Sequence, residues 1–514
     1  MKKLSENFIS GALILSLGGL LAKVLGALYR IPLTNVLGSY GMGLYQLVFP
    51  PYILFLTIAQ AGVPTALSKL IAENNQLGLQ AEGKKLFRVS FAMLTISGLA
   101  CALAMAALSG VIANAQGNAD TAKAFLMVSP ALLFVPITNV LKAYFQGNMN
   151  MLPSGATTVM EQIVKLAVGL FCATKFMPDV QKAVLGAVFA ITVSEFCSLA
   201  IMATVYLVHR KKHAQLPLHF RRQQIPKQCN KVLLVALPVA LGGFAMQMSQ
   251  VVDSVMVVNL INSTSATELY GLWTGPVNSM LGLPIALSSG VAVSALPSIT
   301  KKYFSNDKQS LNDSFNSAIK LTFVIAVPCA LGMTCLSKPI LQLLYARLPE
   351  EEIHVASVLL SLSALSIVFL AITQTAVSVC QAVGKPYATV VIISLSIVIK
   401  AVVNAILLPQ NKINIYGSAI SESLCYLFAT VCVIIYLRKQ IGLKLDWTSC
   451  LVKPLSASMT MTLFITLCVC FADKVVNTPM GTLLTIGFAG IVYFATLFAL
   501  KAFDAKEIKC LSAR

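Results

Sequence analysis

Charged side chains stand at a few places inside the long apolar runs of this sequence, and the first run holds two of them. Lys23 and Arg30 are seven residues apart, so they share one face of a helix. A charge at the centre of a membrane helix costs roughly 2.5 to 3.5 kcal/mol on insertion scales and usually has a function. Arginine binds phosphate oxygens in a bidentate way, which would suit an anionic ligand. Snorkelling of Arg30 to the interface near Pro32 is the alternative.

Two further lysines occupy later apolar runs. Lys165 follows Glu161 by four residues, in the order that favours an intrahelical ion pair, so this pair either neutralises itself or faces a cavity. Lys400 has Asn404 one turn later and no carboxylate nearby in sequence. Lys400 is therefore the better candidate for a cavity cation.

Three carboxylates complete the set of candidate residues. Glu195 and Glu422 precede long apolar stretches, and each either accepts hydrogen bonds from neighbouring helices or carries protons. Asp253 stands in an apolar run of the second half of the chain. With Glu161, these residues are candidates for counter-charges in a cavity or for ion coupling.

The elements that must position these residues are membrane helices. The chain has 514 residues, of which 57% are hydrophobic and 11% charged, with a mean hydropathy of +0.81. Soluble domains carry about a quarter charged residues. At about 20 residues for each crossing of the bilayer, the sequence predicts an all-α polytopic membrane protein with fourteen spans. The predicted spans are 8–33, 41–68, 86–114, 122–144, 154–176, 183–208, 232–261, 269–299, 315–337, 354–378, 387–408, 414–437, 450–471 and 479–500.

The net charge of +19 is mainly a signal of membrane topology. Placing both termini in the cytoplasm puts roughly 25 Lys and Arg on the inner face and about six on the outer face. The basic segment 209–231 lacks the interleaved aromatic residues typical of nucleic-acid binding, so we expect no nucleic-acid partner. The N-terminus resembles a signal peptide, but its apolar run continues without a convincing cleavage site and is interpreted as a retained first helix.

Weak sequence similarities occur in the same order in the two halves of the chain. Tyr45 to Pro51 has the spacing of Tyr270 to Pro276, and counting back from the two tyrosines brings Asp253 within about two residues of the counterpart of Arg30. Two further matches have the same residues at the same spacing in both halves. They are Gln146 and Lys165 with Gln381 and Lys400, and Ser194-Glu195 with Ser421-Glu422. The sequence predicts two six-helix lobes in parallel repeat, with opposite charges at corresponding places. The predicted divisions are an N-lobe at 1–208, a basic cytoplasmic linker at 209–231, a C-lobe at 232–437, and two last helices with a cytoplasmic tail at 438–514.

The sequence contains no complete enzymatic motif, so we predict no catalytic residues, no metal and no cofactor. The stretch GLQAEGKK at 78–85 matches the start of a phosphate-binding loop, but Lys85 stands where a Ser or Thr should hold magnesium. No nucleophile-base set is visible on an outward loop. The thirteen cysteines lie mostly in apolar runs and form no CxxC pair, which is typical of buried hydrophobic residues.

Several stretches resemble one known group of proteins. They are KVLGALYRIPLTNVLGSYGMGLYQLVFP, KAYFQGNMNMLPSGATTVMEQIVK, SQVVDSVMVVNLI and LYGLWTGPVNSMLGLP. The chain is similar over its first twelve spans to the multidrug/oligosaccharidyl-lipid/polysaccharide exporter superfamily, in the branch of stage V sporulation protein B and the MurJ-type lipid II flippases. The resemblance implies a V-shaped pair of lobes around a cationic cavity, a MATE-like arrangement, and a cargo made of a polyprenyl tail, a pyrophosphate and a saccharide.

The resemblance also implies roles for particular residues. Arg30 matches the first-helix arginine that the flippases use in the cavity, whereas GMGLYQLVFPPY in span two lacks the acidic residue and second arginine of the Gram-negative type. We therefore expect Arg30, Lys165 and Lys400 to bind the pyrophosphate, with Lys23 as a further cavity cation. Asp253 and Glu161 would be the counter-charges that the cargo displaces.

The hypothesis is an alternating-access flippase in the bacterial cytoplasmic membrane that carries this cargo from the inner to the outer leaflet. We expect the membrane potential, H+ or Na+ to drive it, with membrane lipid as a partner, a monomeric state, and contacts with cell-wall synthesis proteins left open. The alternatives are a cation-coupled multidrug exporter of the same superfamily, a membrane-embedded glycan polymerase or ligase, and a sporulation scaffold.

Overall fold

Helices form every regular element of the described chain. The structure is a computed structural model that describes residues 2–212, 225–261, 265–305, 307–384, 386–500 and 502. No strand occurs in these ranges, so the predicted all-α class is confirmed. Residues 213–224 of the predicted basic linker, and nearly all of the predicted tail after residue 500, lie outside them.

The chain divides into two compact units, with the division at residues 259–272. In the first unit the helices are α1 (Lys2–Leu47), α2 (Phe49–Gln60), α3 (Val63–Gln76), α4 (Gln80–Ala107), α5 (Ser109–Ala115), α6 (Ala122–Val128), α7 (Ala131–Gly147), α8 (Leu152–Phe176), α9 (Val180–Lys212), α10 (Ile225–Leu260) and α11 (Ala266–Leu272). In the second unit they are α12 (Asn278–Phe304), α13 (Lys308–Cys335), α14 (Ser337–Leu344), α15 (Glu350–Ala382), α16 (Pro386–Leu407), α17 (Tyr416–Ile441), α18 (Lys453–Val476) and α19 (Pro479–Ala499). Two π-helical turns, Trp273–Val277 and Thr448–Val452, precede α12 and α18.

Many of these helices are long and apolar enough to cross a bilayer. Among the described residues, eleven stretches qualify, and the first of them, Gly18–Gln76, includes most of both initial predicted spans. Helices α10 and α12 cover predicted spans seven and eight and are not among the eleven. The chain is a multi-pass membrane protein, and the count of fourteen spans stays a prediction.

Predicted span 41–68 is interrupted instead of being one continuous helix. Gly38 has a φ of 68° and kinks α1, and the α1 helix ends just before Pro50 and Pro51. Proline cannot donate to a helix and clashes with the preceding turn, which explains the break. A second break follows at Ala61 and Gly62, both with left-handed backbone. At the place that the repeat matches to Pro51, the second unit has a π-helical turn containing Pro276.

Small residues let α1 and α8 approach closely. A Cβ atom on Gly18 would lie 3.2 Å from the Cα atom of Gly155, and one on Gly169 would collide with the ring of Tyr29. The order of these contacts along both helices shows that α1 and α8 run parallel. Interfaces of small residues are common between membrane helices because they bring backbones together. The close approach places the polar residues of α8 beside α1.

Helix α10 is packed into the first unit. Val232 and Ala236 lie in a buried cluster with Val63 of α3, and the Asn259 amide donates a hydrogen bond to the backbone oxygen of Ala115 at 3.0 Å. The compact units therefore divide at the end of α10, beyond the basic segment 209–231 on which the sequence-based division rests. That division stays a prediction.

We expect Gly169→Ala to lower the thermal stability of the purified protein, because the new methyl group must displace the buried Tyr29 ring. Overpacking of this kind costs about 1 to 3 kcal/mol. The matched control is Gly19→Ala on α1, where a Cβ meets no atom within 4 Å. Thermal denaturation in detergent should show a lower midpoint for the first variant only. Equal midpoints would show that the contact does not constrain α8.

Candidate functional site

A cluster of ionisable groups lies between three helices of the first unit. Lys142 comes from α7, Glu161 and Lys165 from α8, and Glu195 from α9. Helix α7 ends at Gly147, a short connection follows in which Met149 has a positive φ, and α8 begins at Leu152. This tight reversal brings Lys142 next to the first turns of α8. The four groups form what we call the α7–α9 ion network.

Lys142 is the member of the network that binds Glu161 directly. Its Nζ lies 3.9 Å from a Glu161 carboxylate oxygen, and the side chains of the two residues are only 13% and 15% exposed. The same ammonium group donates to the Thr158 hydroxyl at 3.2 Å, and the Gln162 amide donates to Glu161 at 3.1 Å. A buried charge needs such partners because the low local dielectric leaves it without bulk water.

Glu195 joins this pair from α9. Its carboxylate is within hydrogen-bonding reach of the Glu161 carboxylate, and Lys165 and Lys142 both attract it. Tyr52 of α2, which is buried, interacts electrostatically with both glutamates. Two carboxylates this close need a proton or a cation between them or beside them. The network therefore balances two lysines against two glutamates.

The sequence predicted three of these four residues and missed Lys142. It also weighed an intrahelical pair between Glu161 and Lys165, whereas the salt bridge seen at Glu161 joins it to Lys142 on another helix. The signal for Lys142 was present, because it falls two residues before the end of predicted span four. Lys320, buried on α13, is a second intramembrane lysine that the sequence reasoning left out.

Arg30 lies on α1, one turn beyond a contact with α8. A Cβ on Gly26 would sit 3.6 Å from the Gln162 side-chain oxygen, and Arg30 shares the face of Gly26. Arg30 is partly buried and interacts electrostatically with Tyr45. Lys23, two turns earlier, is exposed on the surface of the first unit. Arg30 and the α7–α9 ion network thus lie along the same helix pair.

Asp253 is also in the first unit. It is buried on α10, next to Ser254, whose hydroxyl accepts a hydrogen bond at 3.1 Å from the Gln116 amide. Gln116 donates a second hydrogen bond to the backbone oxygen of Leu47, at 3.0 Å. These bonds tie α10 to the break between α1 and α2. That Asp253 and Arg30 occupy corresponding places in the two repeats stays a prediction.

The second unit also holds a predicted cavity cation. Lys400 on α16 is buried, and its Nζ lies 5.8 Å from the centre of the Trp273 ring in the π-helical turn. Asn404, one turn later, accepts a hydrogen bond from the Ser421 hydroxyl of α17. Glu422, the next residue, is half-buried. Among the described residues, no group of three or more metal-ligand side chains occurs in either unit.

We expect Lys142→Met to destabilise the protein, because Glu161 then stays buried beside Glu195 without its closest cation. Breaking a buried pair from one side costs on the order of 3 kcal/mol, whereas removing both charges is often tolerated. The double variant Lys142→Met/Glu161→Gln should therefore recover most of the loss in melting midpoint. Lys182→Met is the control, since its pair with Asp179 is solvent-exposed. A double variant that is less stable than Lys142→Met would contradict this account.

Comparisons with known proteins agree with this architecture. The family described as "Polysaccharide biosynthesis protein" matches residues 8–303, and the MatE family matches residues 238–406. "Lipid II flippase MurJ" of Bacillus subtilis (strain 168) is 25% identical over 466 residues, which are 85% of this chain and 84% of the relative. "Stage V sporulation protein B" of the same organism is 26% identical over 325 residues, or 62% of each chain.

Solved structures share the fold. The one described as "Lipid II flippase MurJ, inward closed conformation" has a TM-score of 0.75 at 18% identity, covering 95% of this chain and 99% of that one. An inward-facing multidrug resistance MATE family transporter has a TM-score of 0.65 at 13% identity, covering 82% and 94%. The resemblance found in the sequence is confirmed, and among these proteins MurJ is named as a flippase and the MATE protein as a transporter, neither of which is an enzyme. Because the first family match covers more than half of its length, the chain belongs to the polysaccharide biosynthesis protein family of the multidrug/oligosaccharidyl-lipid/polysaccharide superfamily.

Proposed function

We propose that the protein is a flippase for a polyprenyl-pyrophosphate-linked saccharide, which it moves from the inner to the outer leaflet of the bacterial cytoplasmic membrane. The observation that carries the proposal is the row of cations along α1, α7 and α8, set in helices that are predominantly apolar. The Bacillus subtilis relative named as a lipid II flippase supports a lipid-linked cargo of this class.

The pyrophosphate is the part of the cargo that needs these cations. A doubly or triply charged group cannot cross about 30 Å of hydrocarbon unless fixed cations replace its water. Arg30 offers a planar fork that matches two phosphate oxygens, and Lys165 offers a point charge on the neighbouring helix. The polyprenyl tail needs no such help and can stay in the bilayer.

Charge balance explains how an anion would enter. The α7–α9 ion network is neutral when both lysines and both glutamates are ionised, so an incoming phosphate competes with Glu161 and Glu195 for Lys142 and Lys165. In the second unit Lys400 lies against the face of the Trp273 ring, a contact that favours the charged form of the lysine. We propose that Lys400 also contacts the cargo during transport, with Lys23, Asp253 and Glu422 as secondary groups.

Glu161 and Glu195 are our proposed site of ion coupling. Loss of a proton from this carboxylate pair changes the charge that the two lysines experience, and with it the affinity of the network for an anion. A proton gradient would then bias uptake at one face and release at the other. The membrane potential acts in addition, because the cargo itself is charged.

We expect the parent protein, and not Arg30→Ala, to rescue a bacterium depleted of its own lipid II flippase. An impermeant reagent that detects lipid II on the outer leaflet gives the readout, at matched membrane abundance. Losing one charge-assisted phosphate contact should lower exposure by about tenfold or more. Arg30→Lys should recover part of it, and Lys123→Ala, an exposed cation at the start of α6, is the control.

Other outcomes of the rescue experiment would lead to different conclusions about the cargo and Arg30. Equal rescue by the parent and Arg30→Ala would keep the flippase and make Arg30 an interfacial anchor. Rescue by neither, with both proteins abundant, would overturn lipid II as the cargo and point to another lipid-linked glycan. Export of cationic drugs by the same cells would support the rival multidrug exporter.

We expect Glu195→Gln to uncouple transport from the pH gradient, because the glutamine keeps the shape of the side chain but carries no titratable proton. Proteoliposomes with an imposed pH gradient or an imposed potential separate the two driving forces. The parent should respond to both and the variant only to the potential. A variant that still follows the pH gradient would remove Glu195 from the coupling step.

A further inference from the structure

A small cavity opens in the second unit where α17 ends and α18 begins. It has a volume of about 270 Å³, and its lining includes Phe315 of α13, Ile434 and Arg438 of α17, and Lys444 and Trp447 of the connection. Its floor is apolar, and its rim carries the two cations and the Trp447 ring. We call it the 438–447 slot. The proposed transport of cargo makes no use of it.

Two asparagines of α13 hold the wall of this slot in place. Residues 442–446 belong to neither helix, and the Lys444 backbone N–H donates to the Asn312 side chain at 2.7 Å. Asn316 binds the same stretch twice, donating to the Lys444 oxygen at 2.9 Å and accepting from the Asp446 N–H at 2.9 Å. The two asparagine side chains thus satisfy three backbone polar groups of the connection.

The ends of the segment are also fixed. Gly442, with a φ of 74°, closes α17 by donating to the Arg438 oxygen. Asp446 accepts hydrogen bonds from the N–H groups of Thr448 and Ser449, which begin the π-helical turn. Leu443 inserts into the buried core of the unit. The slot is therefore a preformed feature, and its shape does not depend on a ligand.

The charge and position of the slot define its ligand. Arg438, Lys444 and the adjacent Lys439 are exposed, and they stand at the helix ends that the distribution of Lys and Arg assigns to the cytoplasmic face. Trp447 is 56% exposed, as expected for a ring at the level of the lipid headgroups. An apolar floor under two cations fits a molecule with a phosphate at one end and a hydrocarbon chain at the other.

We infer that the 438–447 slot binds an anionic phospholipid of the cytoplasmic leaflet, with the phosphate between Arg438 and Lys444 and the first part of one acyl chain on the apolar floor. Arginine and lysine both bind phosphate, and clusters of such residues at the inner surface select anionic lipids. A soluble anion would leave the floor in contact with water, and a neutral lipid would leave the cations without a partner. The lipid would brace the connection between α17 and α18.

The protein offers a direct readout, because it has only two tryptophans and Trp273 is buried. In full-length Trp273→Phe protein, reconstituted in phosphatidylcholine, Trp447 fluorescence should be quenched by brominated phosphatidylglycerol at about tenfold lower mole fraction than by brominated phosphatidylcholine. Arg438→Gln/Lys444→Gln should reduce this preference to nearly one. Lys439→Gln, a neighbouring exposed cation that does not line the slot, should keep it.

A variant that fills the apolar floor of the slot with a larger side chain tests whether an acyl chain binds there. Ile434→Phe keeps both rim cations and should weaken quenching by brominated phosphatidylglycerol, while its melting midpoint in pure phosphatidylcholine shows that it is folded. Equal quenching of the parent by the two lipids would overturn the inference, as would a loss in Lys439→Gln as large as in the double variant. Displacement of the brominated lipid by inorganic phosphate alone, or preferentially by a polyprenyl pyrophosphate, would assign the slot to a free anion or to the cargo and would also overturn it.

Discussion

Charge inside an apolar helix bundle has to be compensated within reach of the charged atoms, and the first unit is organised around that requirement. Lys142 and Glu161 meet only because α7 reverses into α8 over a few residues, and Glu195 reaches them from α9. None of the three could be ionised there alone without a penalty of several kcal/mol. The same compensation that makes the fold possible leaves a set of charges that a second anion can rearrange.

Close backbone approach is the means by which the bundle meets this requirement. Glycines at the contacts of α1 with α8 remove side chains that would push the helices apart, so Arg30 lies along the same helix pair as the network. The breaks at Gly38 and before Pro50 act differently, because they interrupt the regular helical backbone near the C-terminal end of α1. In membrane transporters, interrupted helices commonly mark the regions that bind cargo or change conformation.

Hydropathy predicted most of the fold, and pairwise chemistry predicted only part of the site. Long apolar runs fix the helices because lipid leaves the backbone no other partner, so spans such as 154–176 closely match α8. Span 41–68 contains breaks that were not predicted, since a hydropathy window does not register the effect of Pro50 or Gly62. Lys142 was missed because its partner lies nineteen residues away on another helix, and one-dimensional spacing detects only partners three or four residues apart.

The hydrogen bonds from Asn312 and Asn316 to residues 442–446 affect how the last two helices can move. Asn312 and Asn316 bind the connection to α13, and farther along the same helix the Val324 backbone oxygen accepts a hydrogen bond from the Tyr493 hydroxyl of α19, at 2.9 Å. The last two helices are thus attached to α13 at two separate positions along its length. Two separated attachments restrict the rotation of α18 and α19 that a single flexible linker would allow. We therefore expect helices α18 and α19 to tilt together with α13 as one part of the second unit.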